Sequence, residues 1–475
     1  MISINWLPDD VLLEIFDYFC ADKYERQKKE IEKWQPLVHV CRRWRTVVFG
    51  SPRRLNLRLF CKHETPVRFM LDVWPALPLV ICDRSHYGSP YNPIWDIASL
   101  YNAIALLKYS DRVCQIDLLG VPNPHMEEVL VAMQEPFPEL TSLELWSNNK
   151  TEPVVPDSFL GGSAPRLQCL QLYRIPFPGL PKLLLSAPHL AELSLQDIPH
   201  SGYILPDVMA TALSALTSLR SLLLEFQSPR SCPDRESRRL PPLTRSIFPL
   251  LTFIEFRGAS EYLDDLVASI DAPQLNFLYI TFFNQIVFDT PQVIQFIDRA
   301  PALKSLDKAC AEFGTGAAKV ALLPRSRTSG RARLEVKVLC EDLDWQVSST
   351  EQVCTSCFPP LSALEDLYIS GSNQVLEAAR QDNIETALWL ELLRPFTTVK
   401  NLYLSYTVVP HIEPALQELV EGRTTEVLPA LQNIFFYGPQ QSEPVQEAIR
   451  RFVATAAARQ ATGRPIAVSH SDEWP

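Results

Sequence analysis

The chain is 475 residues long, and 47% of its residues are hydrophobic and 21% charged, a balance typical of globular rather than disordered proteins. Its 44 basic and 55 acidic residues give a formal net charge of −11, which disfavours general binding to nucleic acid or to anionic membranes because phosphate contacts need clustered Lys and Arg. The length allows more than one domain, and since no run of about 18 apolar residues occurs, no membrane span is expected.

Two short amphipathic helices are predicted near the N-terminus. The apolar side chains of the first recur at helical spacing and form one stripe. They are Val11, Leu12, Ile15, Phe16 and Phe19. The second is predicted as one continuous helix whose apolar side chains are Leu37, Val40, Cys41, Trp44, Val47 and Val48. Two such helices are too small to bury both stripes alone, so they need a neighbour from this chain or from another protein.

These two segments carry a specific pair of motifs. Residues 7–16, LPDDVLLEIF, are followed by residues 37–45, LVHVCRRWR, and together they resemble the F-box family. The resemblance implies a small helical domain over residues 1–60 that docks on a Skp1-like adaptor and, through it, on a cullin. The side chains implied to make this contact are Leu7, Pro8, Val11, Leu12, Ile15, Phe16, Leu37, Val40, Cys41 and Trp44.

A highly charged insert, residues 21–33, separates the two motifs and departs from the family pattern. It is either a solvated helical extension or an altered or additional contact to the adaptor. After the second helix, residues 61–110 are predicted to form a linker or N-terminal cap. Strands are predicted at 55–59 and 77–81, with helices at 69–74 and 95–107.

From residue 113 a motif of the form apolar-x-x-apolar-x-apolar recurs. Its instances begin at Val113, Leu140, Leu167, Leu190, Leu219, Leu251, Leu275, Leu364, Val399 and Leu431, with a degenerate one at Leu303. The first seven are 27, 27, 23, 29, 32 and 24 residues apart, close to the roughly 20–29 residues of leucine-rich repeats. The usual consensus asparagine occurs once, at Asn148, so the repeats over residues 111–440 are expected to be irregular.

Prolines precede many of these motifs, where each stops the preceding helix and releases the chain into a strand. They are Pro138, Pro165, Pro188, Pro249, Pro273, Pro301 and Pro429. Helices are predicted between the strands at 126–133, 180–185, 208–216, 263–270, 293–297, 384–393 and 416–420. The alternation predicts an α/β fold, an irregular leucine-rich-repeat solenoid with a parallel sheet on its concave face and helices on its convex face.

Two stretches interrupt the repeat. Residues 227–246, rich in Pro, Ser and charge, are predicted to form a surface loop, and residues 309–333 form a second loop. The arginines Arg325, Arg327, Arg331 and Arg333 in the second stretch either bind an acidic or phosphorylated partner or lie in a solvated loop. Residues 441–475, with a helix at 445–459, are predicted to close the last repeat as a C-terminal cap.

No constellation of catalytic or metal-binding residues is found, so the chain is expected to be no enzyme and to hold no cofactor or metal. Cys354 and Cys357 form a lone C-x-x-C, interpreted as a chance occurrence in a loop because no second ligand pair stands at zinc spacing. Gly314-Thr315-Gly316 lacks the rest of a nucleotide fingerprint. The 11 cysteines, with no framework and no secretory signal, predict reduced thiols in an intracellular protein, in cytoplasm or nucleus.

The repeat strands suggest where a partner binds. Residues flanking the buried apolar positions face the open side of the sheet, and many are aromatic, which suits protein recognition. They are Trp146, Tyr173, Tyr279, Tyr368, Tyr403, Phe435 and Tyr437. The alternative is that loops or the terminal segment cover them.

Taken together, the sequence resembles the leucine-rich-repeat F-box proteins. The resemblance implies the substrate-recognition subunit of an SCF-type (Skp1-cullin-F-box) ubiquitin ligase, with the target protein held on the repeats. A second hypothesis is a leucine-rich-repeat interaction scaffold with no ligase role. The target itself cannot be predicted, because repeat faces vary freely on one scaffold.

Overall fold

The computed structural model of the chain describes residues 6–20, 34–61, 71–82, 97–147, 153–229, 244–285, 287–324, 332–358, 361, 364–372, 386–421, 426–438, 443–459 and 466–471. They belong to two compact units, Met1–Leu190 and Ala191–Pro475. The domain boundaries predicted after residues 60, 110 and 440 stay predictions.

The first unit combines N-terminal helices with a parallel sheet. Its helices are α1 (Asp9–Cys20), α2 (Trp34–Val40), α3 (Arg42–Gly50), α4 (Ile97–Leu107), α5 (Asn123–Ala132) and α6 (Leu180–Leu184), with a 3-10 turn at Phe159–Gly162. Its strands are β1 (Leu59–Cys61), β2 (Leu79–Cys82), β3 (Val113–Val121), β4 (Ser142–Ser147) and β5 (Cys169–Tyr173). These strands pair in chain order, and every pair is parallel.

The second unit repeats the strand-and-helix alternation. Its helices are α7 (Pro206–Leu213), α8 (Ser260–Ala268), α9 (Pro291–Asp298), α10 (Pro301–Lys304), α11 (Leu343–Ser356), α12 (Thr386–Leu393), α13 (Val409–Glu421) and α14 (Glu443–Arg459), with a 3-10 turn at His200–Gly202. Its strands up to the middle are β6 (Glu192–Ile198), β7 (Ser221–Phe226), β8 (Ser246–Ile247), β9 (Phe253–Gly258), β10 (Ile270–Asp271) and β11 (Phe277–Phe282).

The remaining strands are β12 (Lys308–Gly314), β13 (Ala317–Leu323), β14 (Arg333–Val338), β15 (Asp366–Gly371), β16 (Asn401–Ser405), β17 (Asn433–Tyr437) and β18 (Ala467–Ser471). In this unit the sheet order is β6-β7-β9-β11-β14-β13-β12-β15-β16-β17-β18, and β8 pairs separately with β10. The C-terminal helix predicted at 445–459 is present as α14. The strand after it, β18, pairs with β17 and extends the sheet.

Proline placement explains where the strands begin. Six of the seven predicted leading prolines stand four residues before a strand, as Pro138 stands before Ser142 and Pro429 before Asn433. Proline cannot continue a helix, so the chain leaves the helical conformation at a fixed distance from each strand. The seventh, Pro301, instead opens the short helix α10, where its missing N–H is not needed.

The core lies between the strands and the helices. In β7 the side chains alternate, so that Leu222 and Leu224 are buried while their neighbours are only half-buried. Leu263 and Leu266 of α8 line the same small apolar cavity as these two leucines. The predicted α/β fold, with parallel strands alternating with helices, is confirmed, and the finer assignment to a leucine-rich-repeat solenoid stays a prediction.

Adjacent repeats are also tied together by buried polar groups. Asp264 of α8 is 1% exposed, and its carboxylate accepts hydrogen bonds from the backbone N–H groups of Gln292 and Val293 at 2.7 and 3.1 Å. These two N–H groups belong to the first turn of α9 and have no acceptor within their own helix. A side chain of one repeat therefore caps the helix of the next.

The loop predicted over residues 309–333 is wrong for most of that range. β12 and β13 form an antiparallel hairpin, and β13 also pairs antiparallel with β14. Thr315 and Gly316 make the two-residue turn, where Gly316 has a φ of +77° that a residue without Cβ adopts easily. The weak nucleotide motif is thus a hairpin turn, and Arg325, Arg327 and Arg331 lie outside the described residues.

Other predictions also need correction. Cys354 lies in α11 and not in a loop, and the strand predicted at 55–59 begins only at Leu59, after a turn. Most of the loop predicted over 227–246 lies outside the described residues, and its last residue, Ser246, begins β8. Within the described part of the chain, no helix combines the length and apolarity needed to cross a membrane, and no group of three or more metal-ligating side chains is found.

Candidate interaction surfaces

The inner side of helix α1 forms part of the core of the first unit. Leu12 and Phe16 are 0% and 1% exposed, and the ring of Phe16 lies 4.7 Å from the ring of Trp44 on α3, centre to centre. Trp34 is also buried, and its indole N–H donates to the carbonyl of Arg58 at 3.2 Å. Phe16 therefore packs α1 against α3, and Trp34 connects these helices to the chain that follows them.

The outer side of α1 is apolar as well. Val11 and Ile15 are 40% and 45% exposed, and Tyr18 is 86% exposed. Their spacing of four and three residues places these side chains on one side of the helix. Val40, at the end of α2, is 58% exposed. Helix α1 thus presents apolar side chains both to the core and to solvent, with Asp9, Asp10, Glu14 and Asp17 supplying its charge.

The second predicted helix is in fact two helices. Cys41 has φ −160° and ψ 170°, an extended conformation that ends α2 and precedes α3. The carbonyl of Val38, which a continuous helix would pair with a backbone N–H four residues on, accepts a hydrogen bond from Nε of Arg45 at 3.0 Å. The single apolar stripe is thereby divided, with Val47 and Val48 buried while Val40 and Cys41 are exposed.

Arg43 joins the two motifs that carry the F-box resemblance. Its guanidinium donates to Oδ1 of Asp9 from Nε at 2.9 Å and from Nη2 at 2.7 Å, and also to the carbonyl of Leu7. Asp9 stands in the first turn of α1, where a carboxylate also interacts favourably with the helix dipole. The structure therefore brings residues 7–9 and 42–44 together, although they are more than 30 positions apart.

The ten predicted adaptor-docking residues divide into three groups by exposure. Buried are Leu12, Phe16 and Leu37; half-buried are Leu7 and Trp44; exposed are Pro8, Val11, Ile15, Val40 and Cys41. Only the exposed and half-buried ones are available to a partner without unfolding, and their docking role stays a prediction. Sequence reasoning missed Trp6 and Tyr18, which are 82% and 86% exposed, although Tyr18 stands at helical spacing from Val11.

In the second unit, three aromatic rings stack across neighbouring strands. Tyr368, Tyr403 and Phe435 stand at matching positions of β15, β16 and β17. The first two rings lie 4.1 Å apart at 4°, and the second and third lie 4.7 Å apart at 15°. All three are half-buried and stand on the face of the sheet away from the core, which we call the open face. Burial raises the pKa of the Tyr368 hydroxyl.

A row of polar side chains runs beside this aromatic stack. Nδ2 of Asn401 donates to Oδ1 of the buried Asp366 at 2.7 Å, and Nδ2 of Asn433 donates to Oδ1 of Asn401 at 2.8 Å. The three side chains belong to the same three strands as the aromatic rings. Hydrogen bonds of this kind hold β15, β16 and β17 in register, so the rings above them are kept in contact.

The expected exposure is wrong for Tyr437. This side chain is 2% exposed, because its ring lies back over the sheet and its hydroxyl donates to the carbonyl of Ile369 at 3.4 Å. Burial raises the pKa of that hydroxyl. Tyr437 therefore supports the packing of the open face and does not itself present a surface to a partner.

A second aromatic group surrounds Tyr279. Its ring lies 5.7 Å from Phe253 and 6.4 Å from Phe277, and the latter two are 6.4 Å apart. Sequence reasoning missed Phe253 and Phe277, although each directly precedes a buried repeat residue and so alternates onto the open face. In the first unit, the predicted pair Trp146 and Tyr173 is half-buried, with ring centres 4.6 Å apart.

Three half-buried glutamates stand among these aromatic rings. Burial raises the pKa of Glu225, and the neighbouring carboxylate of Glu255 raises it further. Burial likewise raises the pKa of Glu255, with Glu335 adding to the effect. Glu335 is itself paired with Arg333, whose Nη2 lies 2.5 Å from its Oε2. Two of the three carboxyl groups are thus harder to ionise than an ordinary glutamate.

The comparisons with known proteins give no family for this chain. No protein-family model matches it, and no curated protein matches it. Among solved structures, it is similar to the leucine-rich repeat-containing protein LegL7 from Legionella pneumophila, at 13% identity and a TM-score of 0.27, over 68% of this chain and 94% of that chain.

Proposed function

We propose that this chain is the substrate-recognition subunit of an SCF-type ubiquitin ligase. In this proposal its N-terminal helices dock on a Skp1-like adaptor, which in turn binds a cullin, and its repeats hold a target protein. The chain itself carries no chemistry. It acts by keeping the target close to a ubiquitin-conjugating enzyme, so that an encounter in solution becomes a high local concentration.

One observation carries the adaptor half of the proposal. Val11, Ile15 and Val40, all within the motifs that resemble an F-box, are 40–58% exposed although they are aliphatic. Helix α1 is already anchored on its other side by Leu12 and Phe16, so these exposed side chains are not needed for its packing. Contiguous exposed apolar side chains are typical of protein interfaces.

The target half of the proposal is supported by the open face of the repeats. Half-buried Tyr and Trp side chains stand there in groups, and such residues are frequent hot spots of protein recognition. Repeat proteins commonly bind partners on an extended sheet face of this kind.

The adaptor contact is tested with the double variant Val11→Glu/Ile15→Glu in the full chain. Two charges on the outer side of α1 cannot be desolvated against an apolar partner, so we expect binding to a purified Skp1-like adaptor to weaken by about 100-fold or more. The matched control is Val131→Glu on α5, whose side chain is 65% exposed and lies outside both motifs. Affinity is measured by calorimetry, and co-purification of a cullin is followed in parallel.

Equal adaptor binding by wild type and by the double variant would show that the outer side of α1 is not the docking surface. A wild-type chain that binds neither adaptor nor cullin would leave the second hypothesis, a leucine-rich-repeat interaction scaffold without a ligase role. That alternative shares the aromatic open face and differs only in what the N-terminal helices contact.

A further inference from the structure

The sheet of the second unit ends at β18. This strand pairs in parallel with β17 on one side, and within the part of the chain that the structure describes no strand lies on its other side. Its five residues keep an unbroken register with β17 and include neither lysine nor proline. Edge strands are commonly protected by such residues or by bulges, so β18 lacks these obstacles to pairing with a further strand.

The backbone of β18 has donors and acceptors on its outer side. The N–H of Ala467 donates to the carbonyl of Gln432 at 2.9 Å, so Ala467 and Ser469, two residues on, direct their backbone groups towards β17. The backbone groups of Val468 and His470 alternate with these and face the outer edge. An extended segment beside β18 matches this spacing, whereas a helix, whose N–H and C=O groups are bonded internally, does not.

The aromatic row of the open face stops one strand before this edge. Tyr368, Tyr403 and Phe435 stack in order across β15, β16 and β17. The next position in the register, opposite Phe435 on β18, is Ser469. Ser469 is exposed and carries no ring, so the side of the Phe435 ring that faces β18 has no aromatic neighbour among the described residues.

The polar row beside the rings ends at the same strand. Asn433 donates to Asn401, and the neighbour of Asn433 on β18 is Ala467, whose side chain has no hydrogen-bonding group. Ala467 is exposed, as is Ser469. Both rows therefore end at small, exposed side chains, which leave a step in the open face that is one strand wide and is bordered by the ring of Phe435.

An aromatic ring fits this step. The stacked rings lie 4.1 and 4.7 Å apart, close to the spacing of about 4.8 Å between neighbouring strands. A ring above Ser469 would therefore stack on Phe435 as Phe435 stacks on Tyr403. A side chain from a strand beside β18 reaches this place by leaning across one strand spacing. An aliphatic side chain would fill the step but would lack the additional attraction of an aromatic pair.

We propose that β18 pairs with an extended segment of a partner protein, and that an aromatic side chain of this segment lies over Ser469 and stacks on Phe435. The backbone hydrogen bonds hold a strand of almost any sequence, and the ring supplies the selectivity. This surface is continuous with the aromatic open face to which target binding is assigned above. The inference rests on the proposed function only where it treats this partner as the ligase target.

The proposal is tested by selecting random twelve-residue peptides, displayed on phage, against the full chain. The enriched peptides are expected to share one aromatic residue. An enriched synthetic peptide is then methylated on one backbone nitrogen at a time. Because successive N–H groups of a strand point to opposite sides, methylation at alternate positions should weaken binding by about tenfold, and methylation at the positions between them should have little effect.

A substitution that fills the step provides the second test. Ser469→Tyr places a ring of the chain itself beside Phe435, so it should weaken peptide binding by about tenfold or more. The same ring should stack within the chain and leave the thermal unfolding midpoint unchanged or higher. The matched control, Ser214→Tyr, adds a ring at an exposed position at the end of α7 and should change affinity by less than about twofold.

Enriched peptides without a shared aromatic residue, a methylation series without alternation, or equal binding by Ser469→Tyr and wild type would overturn the proposal. Peptide binding that occurs only in a variant lacking residues 472–475 would assign the edge to the chain's own end instead. Self-association that Ser469→Tyr abolishes, measured by sedimentation, would assign the edge to a second copy. Val11→Glu/Ile15→Glu should keep peptide binding, so loss of adaptor binding alone leaves this proposal intact.

Discussion

The N-terminal helices and the open face of the repeats both show apolar side chains to solvent, but in different ways. On α1 the exposed aliphatic side chains Val11 and Ile15 stand on a helix whose opposite side is already buried. On the open face, Tyr368, Tyr403 and Phe435 stack on one another and are half-buried. The first arrangement gains little within the chain, whereas the second gains stability from contacts between strands.

This difference teaches that exposure alone does not identify a binding surface. The stacked rings have a structural role that is fulfilled without any partner, so their removal should affect the fold as well as recognition. The outer side of α1 has no such internal role, so its substitution should affect recognition alone. Stability and binding measurements on matched variants therefore separate the two regions.

The largest expected effect is on stability, from Phe16→Ala on the inner side of α1. Phe16 is 1% exposed and contacts Trp44, so its truncation leaves a cavity and should cost about 3–5 kcal/mol of unfolding free energy. Val11→Ala, on the outer side of the same helix, should lower the unfolding free energy by less than about 1 kcal/mol because Val11 is 40% exposed. Urea unfolding followed by tryptophan fluorescence measures both values, and similar losses for the two variants would contradict the assignment of inner and outer sides.

An intermediate effect is expected from Tyr403→Ala in the aromatic stack. Tyr403 contacts a ring on each side, and each aromatic pair contributes about 0.5–1.5 kcal/mol beyond its buried area, so the loss should be about 2–3 kcal/mol. Phe435→Ala removes a single stacked pair and should cost less. Urea unfolding of the two variants tests this order, and a larger loss for Phe435→Ala would show that the stack is not what stabilises these strands.

Much of this fold follows from local sequence rules. The apolar-x-x-apolar-x-apolar motif marks the buried positions of the repeat strands because side chains alternate in a strand, and prolines mark the distance to each strand. The same alternation correctly placed Tyr368 and Tyr403 on the open face. Strand alternation does not reveal whether a side chain on the open face is covered by its surroundings. The burial of Tyr437, whose hydroxyl donates to the carbonyl of Ile369, was therefore missed.

The missed features depend on long-range or side-chain interactions. The hairpin strands β12 and β13 are rich in alanine, so the repeat motif is absent, and their place in the sheet depends on pairing with strands distant in sequence. The break at Cys41 cannot be seen in the sequence, where the apolar residues keep their helical spacing across it. The break is stabilised by a side chain, since the carbonyl that it frees, that of Val38, accepts a hydrogen bond from Arg45. Neither event changes the local apolar pattern on which sequence prediction relies.

The smallest effect is expected from Glu255→Gln. This variant tests whether the ionised, half-buried carboxylates of the open face destabilise the folded chain. Burial and neighbouring carboxylates raise the pKa of Glu225 and Glu255 above the ordinary value of 4.5. The folded chain therefore retains protons at pH values where the unfolded chain has lost them, and its unfolding free energy falls as the pH rises from 4.5 through the raised pKa values.

Glutamine cannot ionise, so Glu255→Gln should be more stable than wild type at pH 7, and this advantage should shrink as the pH falls towards 4.5, because the raised pKa of Glu255 leaves more of it protonated in the folded chain. It also removes the negative charge beside Glu225, whose pKa should move back towards its ordinary value. Urea unfolding at the two pH values measures the difference, with Glu127→Gln, at an exposed position of α5, as the control. If the variant is less stable than wild type at pH 7, a contact within the chain stabilises the Glu255 carboxylate. The ionised glutamates of the open face would then not destabilise the fold.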